Sequence, residues 1–223
     1  MNKIVLVVAA HSDDEALGCG GTIARHVAEG DTVYAVFLAD GVSSRDGSGA
    51  SELNKRMEAA ECARQILGIA KNYYLGLPDN RLDALPLIEV IQPLERVISE
   101  IKPQIIYTHH YGDLNVDHRI AHQAVMTACR PTPGSMVREI YCFEVVSSTE
   151  WSAQSAWPFL PNYYVDISFY LDVKKRALGM YALEMRDEPH SRSFNHIEYL
   201  ARHHGCVVGV SSAEAFMAVR ILK

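Results

Sequence analysis

The sequence has no long apolar run, no C-x-x-C pair and no surplus of positive charge, and each lack removes a class of function. No hydrophobic stretch approaches the roughly 20 residues that span a bilayer. After Met-Asn-Lys only five apolar residues precede the first alanines and acids, too few for the core of a secretion signal, so a cytoplasmic location is expected. The five cysteines, Cys19, Cys62, Cys129, Cys142 and Cys206, are odd in number and scattered, which reads as reduced, mostly buried thiols. With 21 Lys and Arg against 27 Asp and Glu, the formal charge of -6 leaves no basic footprint for nucleic acid or an anionic membrane. The expected partner is a small molecule. Repeats, low-complexity tracts and linkers are also missing, so 223 residues with 48% hydrophobic content read as a single domain over residues 1–223.

What is present is an alternation of short β-branched runs and helical patterns. "IVLVV" (residues 4–8) has the uncharged, β-rich character of a strand buried on both faces. A helix over 15–29 and a strand over 32–38 follow, making a β-α-β unit. Helices are expected over about 52–67, with Gly68 as the stop, over 85–101 with Pro93 as a kink, and from Asp117 or His118 to about Cys129. Two more helices are expected near 173–185 and 196–203. Strands are expected at "NYYLGL", "QIIYTHH", "REIYCFEVV", "YYVDIS" and "AFMAVRIL". The pattern predicts an α/β protein: a three-layer Rossmann-like fold with a mostly parallel sheet and helices on both faces. Residues 147–162, with both tryptophans and two prolines, read as a loop over the site.

Open α/β sheets bind ligands at the carboxyl ends of their strands. There the sequence puts His11, Asp13 and Asp14, then Asp40, then Asp79, and finally His109, His110, Asp113, Asn115, Asp117 and His118. Imidazole and carboxylate together suit a divalent transition metal, and two histidines with one aspartate and an open position make a usual catalytic zinc site. At "HSDDE", His11 and one aspartate can bind the same ion while the other aspartate faces its water. Capping by Ser12 or Asp13, with Asp14 and Glu15 in the first turn, explains one or two of these acids but not the histidine. "GCGG" lacks a phosphate-loop spacing, and its glycines read as sites of close helix packing. His118 and His122 stand four apart on one helix; His118 is favoured as ligand, and Asp117 is a natural N-cap. Strand alternation lets only one of His109 and His110 reach the site.

"AHSDDE" and "NVDHRIAH" resemble the PIG-L/LmbE family of zinc-dependent N-deacetylases, whose patterns run A-H-P-D-D-E and H-P-D-H. "LGLPDNRLD", "IKPQIIYTH" and "YALEMRDEPHSRS" extend the likeness over most of the chain. The resemblance implies one zinc per chain held by His11, Asp14 and His118, Asp13 as general base, and Asp117 orienting a neighbouring imidazole. It implies removal of acetyl from a GlcNAc-type sugar on a lipid, nucleotide or other conjugate, with Arg56 and Asp79 in the sugar pocket. Arg45 is a candidate for a phosphate or carboxylate of the carrier, and Arg192 a further contact; for Arg56 a surface salt bridge with Glu52 fits equally well. Ser12 replaces the family's proline. Asn115 replaces its first histidine, so His109 or His110 is expected to stand in, His110 being the one carried forward, or Asp13 to return the proton itself. Two other readings stand beside this one: a metal-dependent esterase or amidase on another small molecule, and a sugar- or nucleotide-binding module without chemistry. Trp151 and Trp157 serve a homo-oligomer interface as readily as a substrate lid.

Overall fold

The computed structural model describes residues 2–44 and 50–223. Strands β1 (Ile4–Ala9), β2 (Thr32–Ala39), β3 (Lys71–Leu77), β4 (Ile105–His109), β5 (Glu139–Phe143), β6 (Tyr163–Asp166) and β7 (Ala213–Ile221) form one sheet, in the order β3-β2-β1-β4-β5-β7-β6. The pairings from β3 through β5 are all parallel, whereas β7 runs antiparallel to both β5 and β6. Helices α1 (Asp14–Ala28), α2 (Ala50–Leu67), α3 (Leu87–Ile101), α4 (Val116–Ala128), α5 (Leu171–Met180) and α6 (Phe194–Val208) cover the two faces. This is the three-layer α/β arrangement expected from the alternation. No helix among the described residues is long and apolar enough to cross a membrane.

Strand β1 divides the core. Val5, Val7 and Ala9 face a cluster built with α1, α2, α5 and α6, while Leu6, Val8 and Ala10 face one built with α3 and α4. A strand sandwiched in this way needs apolar side chains at every position, which is why "IVLVVA" shows no alternation. β1 pairs with β2 on one side and β4 on the other, so the chain reverses its direction of travel across the sheet there. Loops leaving β1 and β4 diverge and open a crevice at the strand ends.

Several elements differ from the sequence expectation. Helix α4 opens at Val116, and its N-cap is Asn115, not Asp117: the Asn115 side-chain oxygen accepts the Asp117 N–H at 2.8 Å. Helix α5 starts earlier and stops at Met180, because Tyr181 turns inward to bond Glu15 and Glu184 reaches across to Arg56. Helix α6 extends on both sides, from the Ser193 cap to Gly209 at φ 81°. Pro93 is accommodated inside α3, and a 3-10 turn, Leu82–Ala84, follows β3.

Helix α1 is broken at Cys19 (φ -146°, ψ 25°). The break frees the N–H groups of Gly21 and Thr22, and both donate to the Glu214 carboxylate from β7, at 3.0 and 2.7 Å. Lys174 neutralises that buried acid at 2.6 Å and donates to the Leu17 carbonyl at 2.8 Å. Gly18 lies against the Phe143 ring, and a Cβ on Gly21 would sit 2.8 Å from Ile167 Cδ1. The glycines of "GCGG" thus serve close packing. Gly21→Ala is expected to destabilise the fold by about 1–3 kcal/mol through overpacking. An unaltered urea midpoint would show that the helix has room to move.

Candidate metal and catalytic centre

The turn between β1 and α1 brings two adjacent aspartates into different surroundings. Asp13 has φ 135° and ψ -28°, a conformation that costs a non-glycine residue about 1–3 kcal/mol and persists only where the surroundings hold it. Its side chain makes no helix-capping bond. Its carboxylate takes Arg192 Nη1 at 2.9 Å and lies 3.5 Å from Arg56 Nη2, while its N–H donates to Glu15 at 3.0 Å. Asp14 turns the other way, accepts the His11 N–H at 2.9 Å, and is almost fully enclosed.

Around Asp14 lie the nitrogens. His11 Nδ1 and His118 Nε2 are each 3.4 Å from Asp14 Oδ2, and the three donor atoms lie within 4.8 Å of one another. Asp14 Oδ1 is buried with no hydrogen-bond partner among the described residues. An ionised carboxylate is costly to bury unpaired. Two imidazole nitrogens and one such oxygen fit a divalent metal of the zinc type.

Carboxylates behind the histidines set their orientation. His11 Nε2 lies 3.1 Å from both Asp117 Oδ2 and Asp79 Oδ1. Asp117 also accepts the Asn80 and Leu82 N–H groups at 2.7 and 3.0 Å, so its oxygens are already engaged and it supports His11 rather than competing for an ion. Assigning the Nε2 proton to these carboxylates leaves the Nδ1 lone pair facing Asp14. His118 Nδ1 is 3.2 Å from Asp113 Oδ1, an ion-pair contact without the alignment of a regular hydrogen bond. Asp113 is held by Ser148 and by Thr149 at 2.6 Å, which ties the 147–162 loop to this histidine.

The charge states follow from these contacts. Burial works to raise the Asp14 carboxyl, but His118, His109 and His11 hold it well below its usual range. Asp13 is shifted up by burial, against the pull of Arg192 and Arg56. Burial opposes a charged His118, yet Asp14 and Asp113 raise it to about 9; Asp79, despite burial, is held at about 2 by His11 and Ser44. Burial lifts Glu15 to about 7, and its oxygens take the Tyr181 hydroxyl and the Asp13 N–H.

Of the two neighbouring histidines, His109 is the one against the cluster. Its Nε2 accepts the Ala10 N–H at 2.8 Å, and its ring stacks on His118 at 3.9 Å. The expectation for His110 is corrected: its ring points into Tyr111 and Phe159, with Nε2 3.2 Å from the Trp157 carbonyl, away from the cavity. The same alternation turns it to the other face. His122 meets the His109 carbonyl at 3.0 Å and stays out of the donor set. Asn115 lines the cavity, but its oxygen is committed to the helix cap. Arg45 lies outside the described residues.

His11, Asp13, Arg56, Asp79, Asn115, His118 and Arg192 line a common cavity of about 500 Å³. Arg56 is not a surface residue: besides Asp13 it bonds the Ser12 hydroxyl and carbonyl and meets Glu184 at 2.7 Å. Glu184, which lines the same cavity, had no distinguishing sign within "YALEMRDEPH". Its contacts reveal it: Arg56, more than a hundred residues away in sequence, and Arg192 at 3.9 Å.

The family model described as PIG-L, GlcNAc-PI de-N-acetylase, matches residues 6–129, which carry every member of the donor set. The chain belongs to the PIG-L family. It is 32% identical over 182 residues to an uncharacterized deacetylase, YaiS, of Escherichia coli, covering 79% of this chain and 89% of that one. A diacetylchitobiose deacetylase of Thermococcus kodakarensis is 28% identical, over 97% of this chain and 83% of its own. A 4-oxalmesaconate hydratase of Pseudomonas putida is also 28% identical, over 79% and 72%. Among solved structures, the conserved protein TT1542 of Thermus thermophilus superposes with a TM-score of 0.79 at 26% identity, over all of this chain and 97% of that one. Relative to the PIG-L pattern, Ser12 replaces proline and its hydroxyl receives Arg56 Nε at 3.1 Å.

Metal loading of this PIG-L chain should release protons. Below about pH 9 the metal-free His118 ring is charged, and it must become neutral to bind an ion, so apparent affinity should climb with pH towards that value. Calorimetry at pH 7.5 in buffers of different ionisation heat should return about one proton or more per zinc; a value of zero contradicts the assignment. Asp117→Asn should weaken zinc binding by about 10–100-fold in a chelator competition.

Proposed function

We propose that this protein is a zinc-dependent hydrolase, with one zinc per chain, that removes the N-acetyl group from an N-acetylated amino sugar of the GlcNAc type and releases acetate. The observation that carries this reading is the division of labour at "HSDDE". Asp14 joins His11 and His118 in a buried donor set, while Asp13 stands beside it in the cavity, gripped by two arginines. The relatives named as deacetylases support the choice of reaction.

His11, Asp14 and His118 would hold the zinc, which when bound supplies Lewis-acid polarisation of the acetyl carbonyl and acidifies nearby water. Asp13 takes a proton from the attacking water as its oxygen bonds to the acetyl carbon. Arg192 and Arg56 fix the carboxylate in place for that transfer. When the C–N bond breaks, Asp13 returns the proton to the sugar nitrogen. This assigns both proton transfers to one side chain, since His110 faces away, His109 Nε2 is taken by the Ala10 N–H, and an asparagine amide delivers no proton at neutral pH. The Asn115 NH2 makes one long contact, to Asn80 Oδ1 at 3.5 Å, and its second N–H is suited to the acetyl oxygen as negative charge develops. Asp79 and Glu184 offer acceptors for sugar hydroxyls while supporting His11 and Arg56.

The hydratase relative supports a second reading, in which the same cavity adds water to a small unsaturated acid. Acetate assays separate the two. Asp13→Asn should retain zinc and lose acetate release by about 10²–10⁴-fold. Retention within tenfold means that another group moves the proton. Chelation should abolish turnover and added zinc restore it; a metal-free chain that still releases acetate removes the proposal.

A further inference from the structure

The loop over residues 147–162 does more than close one side of the cavity. Next to it lies a second depression of about 580 Å³, and Leu114 belongs to the walls of both. Tyr111 and Trp157 stand in this groove with their rings edge to face, 5.7 Å apart. Trp157 is 58% exposed and Trp151, at the mouth of the first cavity, 54%. Each of the two adjoining depressions thus carries one of the chain's tryptophans in its wall.

These rings stand on a braced segment. The Trp157 carbonyl meets His110 Nε2 at 3.2 Å, and its backbone is so close to Gly112 that a Cβ there would lie 2.6 Å from the same oxygen. Gln154 ties the loop to itself, donating to the Thr149 carbonyl at 2.6 Å and accepting the Phe159 N–H at 3.2 Å. Ser148 and Thr149 are anchored on Asp113. The ordering cost of presenting the rings is thus met before any ligand arrives.

The groove's polar content restricts what can lie in it. Its cation, Arg119, donates Nη1 to the Asp113 and Leu114 carbonyls at 2.7 Å each; its acid, Asp113, is buried with its carboxylate turned to Ser148, Thr149 and His118; and the amide of Gln123 and the hydroxyl of Ser152 are neutral. A phosphate-bearing carrier needs convergent charged donors. Flat aromatic faces with neutral amide and hydroxyl neighbours suit a ring that is apolar on its faces and hydroxylated at its edge. Resting on the deacetylase reading above, we propose that the groove is a carrier subsite for a second, uncharged sugar ring, so that the substrate class is a neutral N-acetylated disaccharide or longer oligosaccharide.

The test uses the zinc-loaded Asp13→Asn protein, in which binding is followed by tryptophan fluorescence without turnover. N,N'-diacetylchitobiose should bind at least tenfold more tightly than N-acetylglucosamine, and UDP-linked N-acetylglucosamine should gain no comparable advantage. Trp157→Ala or Tyr111→Ala should each reduce the disaccharide-to-monosaccharide ratio several-fold, with Trp151 left as the reporter. Using a ratio within one variant cancels losses from partial misfolding. Equal affinity for one and two rings, a preference for the nucleotide-linked sugar, or a ratio untouched in both variants overturns the subsite. Acetate release by the unmutated enzyme from the same three compounds is read separately. Failure to deacetylate any of them, with the ratio intact, counts against the reaction and not against the groove.

Discussion

Negative charge packed into a buried crevice is the constraint on which the rest of this structure depends. Asp13, Asp14, Asp79, Asp113 and Asp117 are all buried around the ends of β1 and β4. Unpaired, such a group would shed its charge by binding protons. Each instead has a partner, two of them shared: two arginines for Asp13, a ring of histidines for Asp14, His11 for Asp79 and Asp117 as well, and His118 with two hydroxyls for Asp113. The arrangement leaves one buried carboxylate oxygen, Asp14 Oδ1, without a donor among the described residues.

The supporting residues come from most of the chain. Arg56 arrives on α2, Glu184 and Arg192 after α5, Ser148 and Thr149 after β5, and Asn80 and Leu82 after β3. This explains why Asp13 can remain in its strained backbone conformation. Relaxing it would break contacts to segments that are each fixed by independent packing. Strain concentrated beside the reacting position, with compensation distributed elsewhere, is characteristic of preorganised sites.

Much of this is legible in the residues. Buried strands announce themselves by uninterrupted β-branched runs, and a histidine followed by acids at a strand end has no ordinary structural use. Helix limits are less legible at 171–180, where the end depends on Tyr181 finding Glu15 and Glu184 finding Arg56, both long-range events. The capping of α4 shows the opposite error: two residues of one segment, Asn115 and Asp117, are both good caps, and the competing demands of His11, Asn80 and Leu82 on Asp117 settle which one serves. The choice between His109 and His110 follows the same logic, since alternation separates them without saying which faces the metal side. Glu214 and Lys174, central to α1, carry no local sign at all.

That last pair has a bearing on how the protein comes into being. The helix that bears Asp14 leaves the ribosome well ahead of β7, which supplies the carboxylate that caps its inner half about two hundred residues later. Until that strand docks, Gly21 and Thr22 lack their acceptor and Lys174 its counter-ion. The "HSDDE" turn is thus made before the strand that braces its helix, and the nascent chain carries the candidate donor residues well before it has the shape that gathers them.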